Sequence, residues 1–356
     1  MGLSDGPVRL ALLGCGEVVR AKHLPALRRI ADVQVLAVCD INRDRCQALA
    51  RQFNIPVATA EPSDIFAMTN VDAVGVCTNP GSHAKLALEA MRAGKSVYVE
   101  KPLALTVEEC AQLVAEAGRA GVTAMTGFHM RFHRLVAAAH EKLKQGSIGP
   151  VQSVRVVWHS PRGDRDIPAW KTRREEGGGA LIEIAVHHFD LVRFLLGGEF
   201  ASLRALSRDG ARHDESGVVV ARLTDGTLVS GEFSERTPHE IEIVVSGLKG
   251  VMRLDCLKFD GLEIRASNEV PGAPALRLRS ISKFAASLPA GVKSMRRGGD
   301  YLISYENAWR HFLNCLRSGA KPSCTFEDGL RAVETVRAAL QSAATGELSH
   351  LRKQSA

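Results

Sequence analysis

The sequence predicts an α/β protein with a doubly wound parallel sheet over residues 1–127. An α+β domain on a largely antiparallel sheet follows over 128–356. Three observations carry this. Short apolar runs alternate with helix-like runs as far as Thr126, a glycine turn links the first run to a helix, and the later half turns β-rich with tight turns. Strands covered on both faces read as continuous apolar runs, and their alternation with helices marks a parallel sheet. Such alternation is the doubly wound pattern.

The first strand is expected at Leu10–Cys15 and its helix at Val18–Ile30. Val33–Asp40 and the polar helix Asn42–Phe53 come next. Asp72–Thr78, Ser82–Ala93, Ser96–Glu100, Val107–Ala120 and Val122–Met125 continue the alternation. Arg131–Gln145 reads as a helix, Val151–His159 as a strand, and Gly177–Leu196 as a loop entering a helix. From Ser202 to Ile264 the pattern is β-rich. Asp225–Gly226 separates two strand-like runs and supplies the positive φ angles of a tight hairpin, with Asp260–Gly261 a weaker second case. Helices near Asp300–Arg317 and Glu327–Ala343 close the chain, and no internal repeat is evident.

With 356 residues, 45% hydrophobic and 24% charged, the composition is that of a globular protein with room for two domains. No apolar run reaches the ~18–20 residues of a membrane span, and the N-terminus lacks the features of a secretory signal, so the cytoplasm is the expected compartment. The eight cysteines are scattered without Cys-x-x-Cys pairs and are expected to be reduced, in or near the core. The formal charge of +7 gathers in one stretch: Ala273–Gly299 holds six basic residues and no acidic one. With no nucleic-acid motif beside it, this segment is expected to be solvated or intersubunit. An oligomerisation arm, a lid over an anionic nucleotide-sugar and a membrane-surface contact over Ile281–Arg297 stay open.

Gly14-Cys15-Gly16-Glu17-Val18 joins the first strand to a helix, which is the setting of a dinucleotide fingerprint. The first glycine permits the turn, the second lets a pyrophosphate approach the backbone, and the helix N-terminus offers free N–H groups. The third fingerprint position is Val19, not glycine. Asp40 ends the second strand 26 residues after Gly14, where a carboxylate would accept bonds from the adenosine ribose. That favours NAD, while Arg43 keeps NADP open. The competing role for Asp40 is to cap the helix beginning near Asn42.

Cys77-Thr78-Asn79-Pro80-Gly81-Ser82-His83 and Tyr98-Val99-Glu100-Lys101-Pro102-Leu103 closely resemble motifs of the Gfo/Idh/MocA family of sugar and cyclitol oxidoreductases. The likeness continues through Gly127-Phe128-His129-Met130-Arg131, through Gly177-Gly178-Gly179 to His187-His188-Phe189-Asp190, and into Phe326-Glu327-Asp328-Gly329. The resemblance implies a Rossmann domain joined to a domain with an open sheet, with substrate over the nicotinamide between the two. It implies cofactor contacts from Thr78, Asn79, Pro80, His83, Glu100 and Lys101. It also implies a cis bond before Pro102 and a homodimer or homotetramer formed through the C-terminal sheet.

Oxidising a secondary alcohol needs a base for the hydroxyl proton and a partner for the developing alkoxide. Lys101 suits the electrostatic role and His187 the base. Glu183, four residues before His187, is expected on the same helix face as a third catalytic group. At this position the family usually has Asp. Arg131, Trp170 and Arg174, with Arg173 near them, are expected to shape a sugar pocket together with Lys101, Glu183 and His187. Glu183, His187, His188 and Asp190 match no metal-site spacing, so no metal is expected. The expected reaction is hydride transfer between the nicotinamide and a hydroxyl of a sugar, amino-sugar or cyclitol. An NAD-dependent glycosidase working by transient oxidation and elimination is the second reading, and a non-catalytic nucleotide-sensing regulator the third.

Overall fold

The computed structural model describes residues 6–162, 167–210, 212–270 and 272–351. The chain forms two compact units. The first comprises Met1–His129, Glu175–Gly177 and Tyr305–Val333, and the second Met130–Arg174, Gly178–Ser304 and Glu334–Ala356.

The first unit holds a six-stranded sheet. Its strands are β1 (Val8–Leu13), β2 (Val33–Cys39), β3 (Val57–Thr59), β4 (Ala73–Val76), β5 (Ser96–Val99) and β6 (Ala124–Thr126). Their order is β3-β2-β1-β4-β5-β6, and every pairing is parallel. Every residue of β4 and β5 is buried, as a sheet covered on both faces requires. Helices Pro80–Arg92 and Val107–Ala120 lie among the covering elements. The second carries a complete capping box from Thr106 and Glu109 and ends at Gly121 in the left-handed region. Phe326 and Val333, from the end of the chain, join the core of this sheet. Sequence periodicity missed β3 and the helix Pro62–Ala67, which are too short for a periodic signal.

The second unit holds an eight-stranded sheet. Its strands are β7 (Val151–His159), β8 (Phe200–Arg208), β9 (Ser216–Leu223), β10 (Leu228–Ser234), β11 (Glu240–Gly247), β12 (Gly250–Asp255), β13 (Leu262–Ala266) and β14 (Ser349–His350). The order is β13-β12-β11-β7-β10-β9-β8-β14, antiparallel except for the parallel pair β7–β10. Buried and exposed residues alternate along β9, so only one face of this sheet is covered by the unit itself. The Asp225–Gly226 hairpin joins β9 and β10, with Gly226 at φ +93°.

Two expectations are corrected. The helix after the glycine turn is not continuous α-helix: Val19–His23 is a π-turn, followed by Leu24–Leu27. Arg131 lies in a short 3₁₀ turn, and the α-helix begins at Arg134. The basic segment is a helix, Pro274–Arg296, with Pro289 inside it. Among the described residues no helix is long and apolar enough to cross a membrane. All eight cysteines are buried thiols outside any disulfide.

Candidate active site

In the first unit, β1 ends at the glycine turn. Gly14 has φ +95°, and a Cβ there would come within 2.5 Å of the Cys77 carbonyl oxygen, so the turn at the end of β4 excludes a side chain. At Gly16 the reverse holds, because nothing lies within 4 Å of a Cβ position. One glycine lets β1 and β4 come together; the other leaves an open approach to the backbone. This fits a pyrophosphate cradle. Cys15 is buried, Val18 half-buried, and Glu17 pairs with Arg20 in solvent.

Asp40 stands at the end of β2. Its carboxylate accepts the Cys15 N–H at 2.7 Å and the Asn42 N–H at 2.8 Å, and it pairs with Arg45 at 2.6 Å. Burial opposes its ionisation, but the bonds from Arg45, Asn42 and Cys15 outweigh it and hold the carboxyl below its usual range. The helix cap is Asn42, whose side chain accepts the Arg45 N–H at 2.9 Å. The capping role proposed for Asp40 therefore falls. Arg43 is exposed. Arg45 was missed by the sequence reading, although a spacing of five residues from Asp40 puts it within reach across the first turn of the helix.

The other residues expected to contact the cofactor gather at the ends of β4 and β5. Pro80 opens its helix, and the Ser82 hydroxyl lies 2.7 Å from that of Thr78 and 2.9 Å from the Asn79 side-chain oxygen. His83 is buried, with Nδ1 2.9 Å from the Pro102 carbonyl and Nε2 3.2 Å from that of Thr78. Burial lowers its pKa against those two bonds, so the neutral ring donates to one carbonyl at a time. The Lys101–Pro102 bond is cis. Glu100 is 5% exposed, and its Oε2 accepts the Lys101 N–H at 3.1 Å. The Lys101 side chain is partly exposed.

In the second unit, the glycine run leads to the His187 helix. A Cβ at Gly178 would fall 2.3 Å from the Lys171 carbonyl oxygen, so the run packs backbone against backbone. The expected single helix through Glu183 and His187 is two pieces, Ala180–Glu183 and Ala185–Leu196, joined at Ile184. His187 is 4% exposed and stacks on Trp158 with ring centroids 5.0 Å apart. His188 is fully buried, and burial lowers its pKa to about 3 despite a backbone bond to Ile184, which keeps it neutral.

Glu183 is enclosed by cations. It pairs with Arg162 and, at 2.8 Å, with Lys171, while Arg162 also reaches Glu235 at 3.0 Å. Arg212 lies 3.4 Å from Glu235. Burial pushes Glu235 up to about 7; the Arg162 charge opposes this and Glu183 adds to it. Glu235 was not singled out from sequence, because nothing local marks a carboxylate at a strand end as buried. The other expected pocket residues are also engaged. Arg131 makes a buried two-pronged pair with Asp190, and Arg174 one with Asp214 at 2.7 and 2.8 Å. Trp170 is half-buried, with the Lys171 ammonium 4.9 Å from its ring centroid.

The chain matches the model of an oxidoreductase family with an NAD-binding Rossmann fold, GFO/IDH/MocA, over residues 8–128. It matches the GFO/IDH/MocA C-terminal domain over residues 136–253. A myo-inositol 2-dehydrogenase from Thermotoga maritima is 26% identical over 335 residues, covering 92% of this chain and 93% of the relative. A D-apiose dehydrogenase from Paraburkholderia graminis is 27% identical over 355 residues, covering 96% and 89%. The structure of the WlbA dehydrogenase from Bordetella pertussis, a complex with NADH and UDP-GlcNAcA, superposes with a TM-score of 0.84. It is 24% identical, with 99% of this chain and 100% of that one covered. By both family models and by the glycine turn, Asp40 and the Glu100-Lys101-Pro102 segment, this chain belongs to the Gfo/Idh/MocA family of NAD-binding oxidoreductases.

Proposed function

We propose that this oxidoreductase transfers hydride between a secondary hydroxyl of a sugar, amino-sugar or cyclitol and the nicotinamide of NAD, in the cytoplasm and as a homo-oligomer. The observation that carries the reading is Lys101 itself. It follows β5 at the carboxyl edge of the parallel sheet that also carries the Gly14–Gly16 turn, with its backbone N–H on the buried Glu100 carboxylate. The substrate names of the inositol and apiose dehydrogenases agree with it.

The nicotinamide, when bound, supplies the hydride acceptor. Gly14, Gly16 and Asp40 would hold the pyrophosphate and ribose, with Thr78, Asn79, Pro80 and His83 beside them. Lys101 donates a hydrogen bond to the reacting oxygen and stabilises its negative charge as the proton leaves. His187 takes that proton, its ring orientation held by the stack on Trp158. Glu183 acts at one remove. Its two cationic partners make it an anchor for Arg162 and Lys171 rather than a free base. Arg131 and Arg174 likewise shape the pocket by fixing Asp190 and Asp214.

The test is a screen of inositols, pentoses, hexoses and nucleotide-sugars with NAD and NADP, followed by Lys101→Met on the best substrate. Accumulation of reduced nicotinamide, with turnover lost about 100-fold or more in the variant and NADH affinity kept, is the expected result. Redox-neutral release of a glycoside leaving group would assign the glycosidase chemistry instead. Turnover unchanged by Lys101→Met would remove Lys101 from the mechanism.

A further inference from the structure

Behind Glu100, on the side away from the Lys101 amide, lies an aromatic chamber that the reaction scheme does not use. Its centre is His23, the last residue of the π-turn Val19–His23 and fully buried. His23 Nε2 lies 3.1 Å from Glu100 Oε1. Its other nitrogen, Nδ1, accepts the indole N–H of Trp309 at 3.0 Å. An indole nitrogen only donates, so Nδ1 of His23 must be the acceptor. The proton of the neutral ring therefore sits on Nε2, the nitrogen that faces Glu100.

Three rings hold the imidazole in this orientation. Tyr98, Tyr305 and Trp309 each meet His23 edge-on, with centroids 5.9, 5.1 and 5.8 Å away, and Trp309 stacks on Tyr98 at 4.2 Å. Gly75 in β4 makes room for the indole, because a Cβ there would fall 3.0 Å from Trp309. A histidine used only to fill the core would gain nothing from a donor on one nitrogen and a carboxylate at the other. Buried polar groups are costly unless matched in this way.

We propose that His23 is a positioning residue for Lys101: held by Trp309 with its proton on Nε2, it fixes the Glu100 carboxylate that lies against Lys101. The inference rests on the reading of Lys101 as the group that polarises the reacting oxygen. Glu100 is the middle member, with Oε1 toward His23 and Oε2 on the Lys101 N–H. Burial alone would keep Glu100 protonated; the facing His23 N–H and then the charge of Lys101 reverse that and leave it ionised. Among the described residues Cys77, Tyr98 and His83 also feel Glu100, and all three are uncharged at neutral pH because burial raises the first two and lowers the third. An ionised Glu100 in turn sets a negative charge beside Lys101, whose ammonium is the form that can donate to an alkoxide.

The experiment reads Lys101 directly and needs no substrate. The full-length enzyme is labelled with trace acetic anhydride across a pH series, and acetylation of the Lys101 peptide is quantified by mass spectrometry in wild type, His23→Leu, His23→Gln and Trp309→Phe. In His23→Leu the carboxylate loses its donor, Glu100 takes up a proton nearer neutrality, and the Lys101 labelling midpoint falls by about one pH unit. His23→Gln restores an N–H toward Glu100 and returns the midpoint to the wild-type value. Trp309→Phe keeps the stack but frees the ring to exchange tautomers, so it shifts the midpoint in the same direction by less. It also carries the test should His23→Leu fail to fold. Identical midpoints in wild type and in every folded variant, whatever their melting temperatures, would overturn the inference. Lys101→Met separates the two claims: normal turnover in that variant defeats the role of Lys101 in catalysis, while the labelling series still decides whether His23 controls it.

Discussion

The Asp40 carboxylate accepts the backbone N–H of Cys15 at 2.7 Å, tying the end of β2 to the middle of the glycine turn. A residue expected to select the ribose thus also braces the loop that would carry the pyrophosphate. Arg45, half-exposed, holds the other side of the same carboxylate. Asp40→Ala is expected to weaken NADH binding by about 10- to 100-fold, the worth of a charge-assisted hydrogen bond. NADPH should lose less, because Arg45 is then released toward a 2′-phosphate. Fluorescence titration with the two cofactors measures the difference, and equal losses would assign Asp40 to bracing the loop alone.

The two glycines of the turn should separate by phenotype. Gly14→Ala puts a Cβ against the Cys77 carbonyl at a positive φ and should destabilise the protein by about 1–3 kcal/mol. Gly16→Ala meets no protein atom, so its stability should stay within about 0.5 kcal/mol of wild type. Its NADH affinity should fall about tenfold or more, equivalent to about 1.4 kcal/mol. Urea denaturation and NADH titration of both variants check this. A Gly16→Ala enzyme with normal affinity would place the pyrophosphate elsewhere.

Glu235 makes stability depend on pH. A carboxyl that titrates at 4.5 when unfolded and about 7 when folded binds its proton more tightly in the folded state. Its stabilising contribution is therefore full below about 4.5 and is lost as the pH rises through 7. Glu235→Gln keeps a neutral, hydrogen-bonding side chain throughout. The drop in melting temperature between pH 5 and pH 8 should thus shrink by several degrees in the variant. An unchanged drop would mean that Arg162 and Arg212 keep Glu235 ionised.

The Arg131–Asp190 pair is buried on both sides, with side chains 6% and 0% exposed. Removing one partner strands a charge, so Asp190→Leu should cost about 3–5 kcal/mol. The double variant Arg131→Met/Asp190→Leu should recover most of that loss, because no charge is left buried. Denaturation of the single and double variants measures the coupling. Were the double variant as unstable as the single one, packing rather than charge would hold the site.

Much of the site was legible because its signals are local. Gly14, Gly16 and Asp40 sit at the ends of strands that are themselves apolar runs, and the Glu100-Lys101-Pro102 motif follows such a run directly. His187 was legible as a residue but not in its setting, since its stack on Trp158 joins a helix to a strand outside its own sequence neighbourhood. Glu183 shows the limit more sharply. Helical spacing placed it beside His187, yet the break at Ile184 and the pull of Arg162 and Lys171 redirect it into an ion cluster.

What the sequence by itself determined is the parallel sheet, the nucleotide turn, the Asp225–Gly226 hairpin and the motif that carries Lys101. Each depends on apolar periodicity or turn chemistry within a few residues. Tertiary structure alone decided which buried charge meets which. Glu183 and Glu235 came to share Arg162, and His23 met Trp309 across 286 residues of chain. The reason is electrostatic. A buried charge must find a partner, and the partner is chosen by which strand ends and helices the topology brings together, information that no local window of sequence contains.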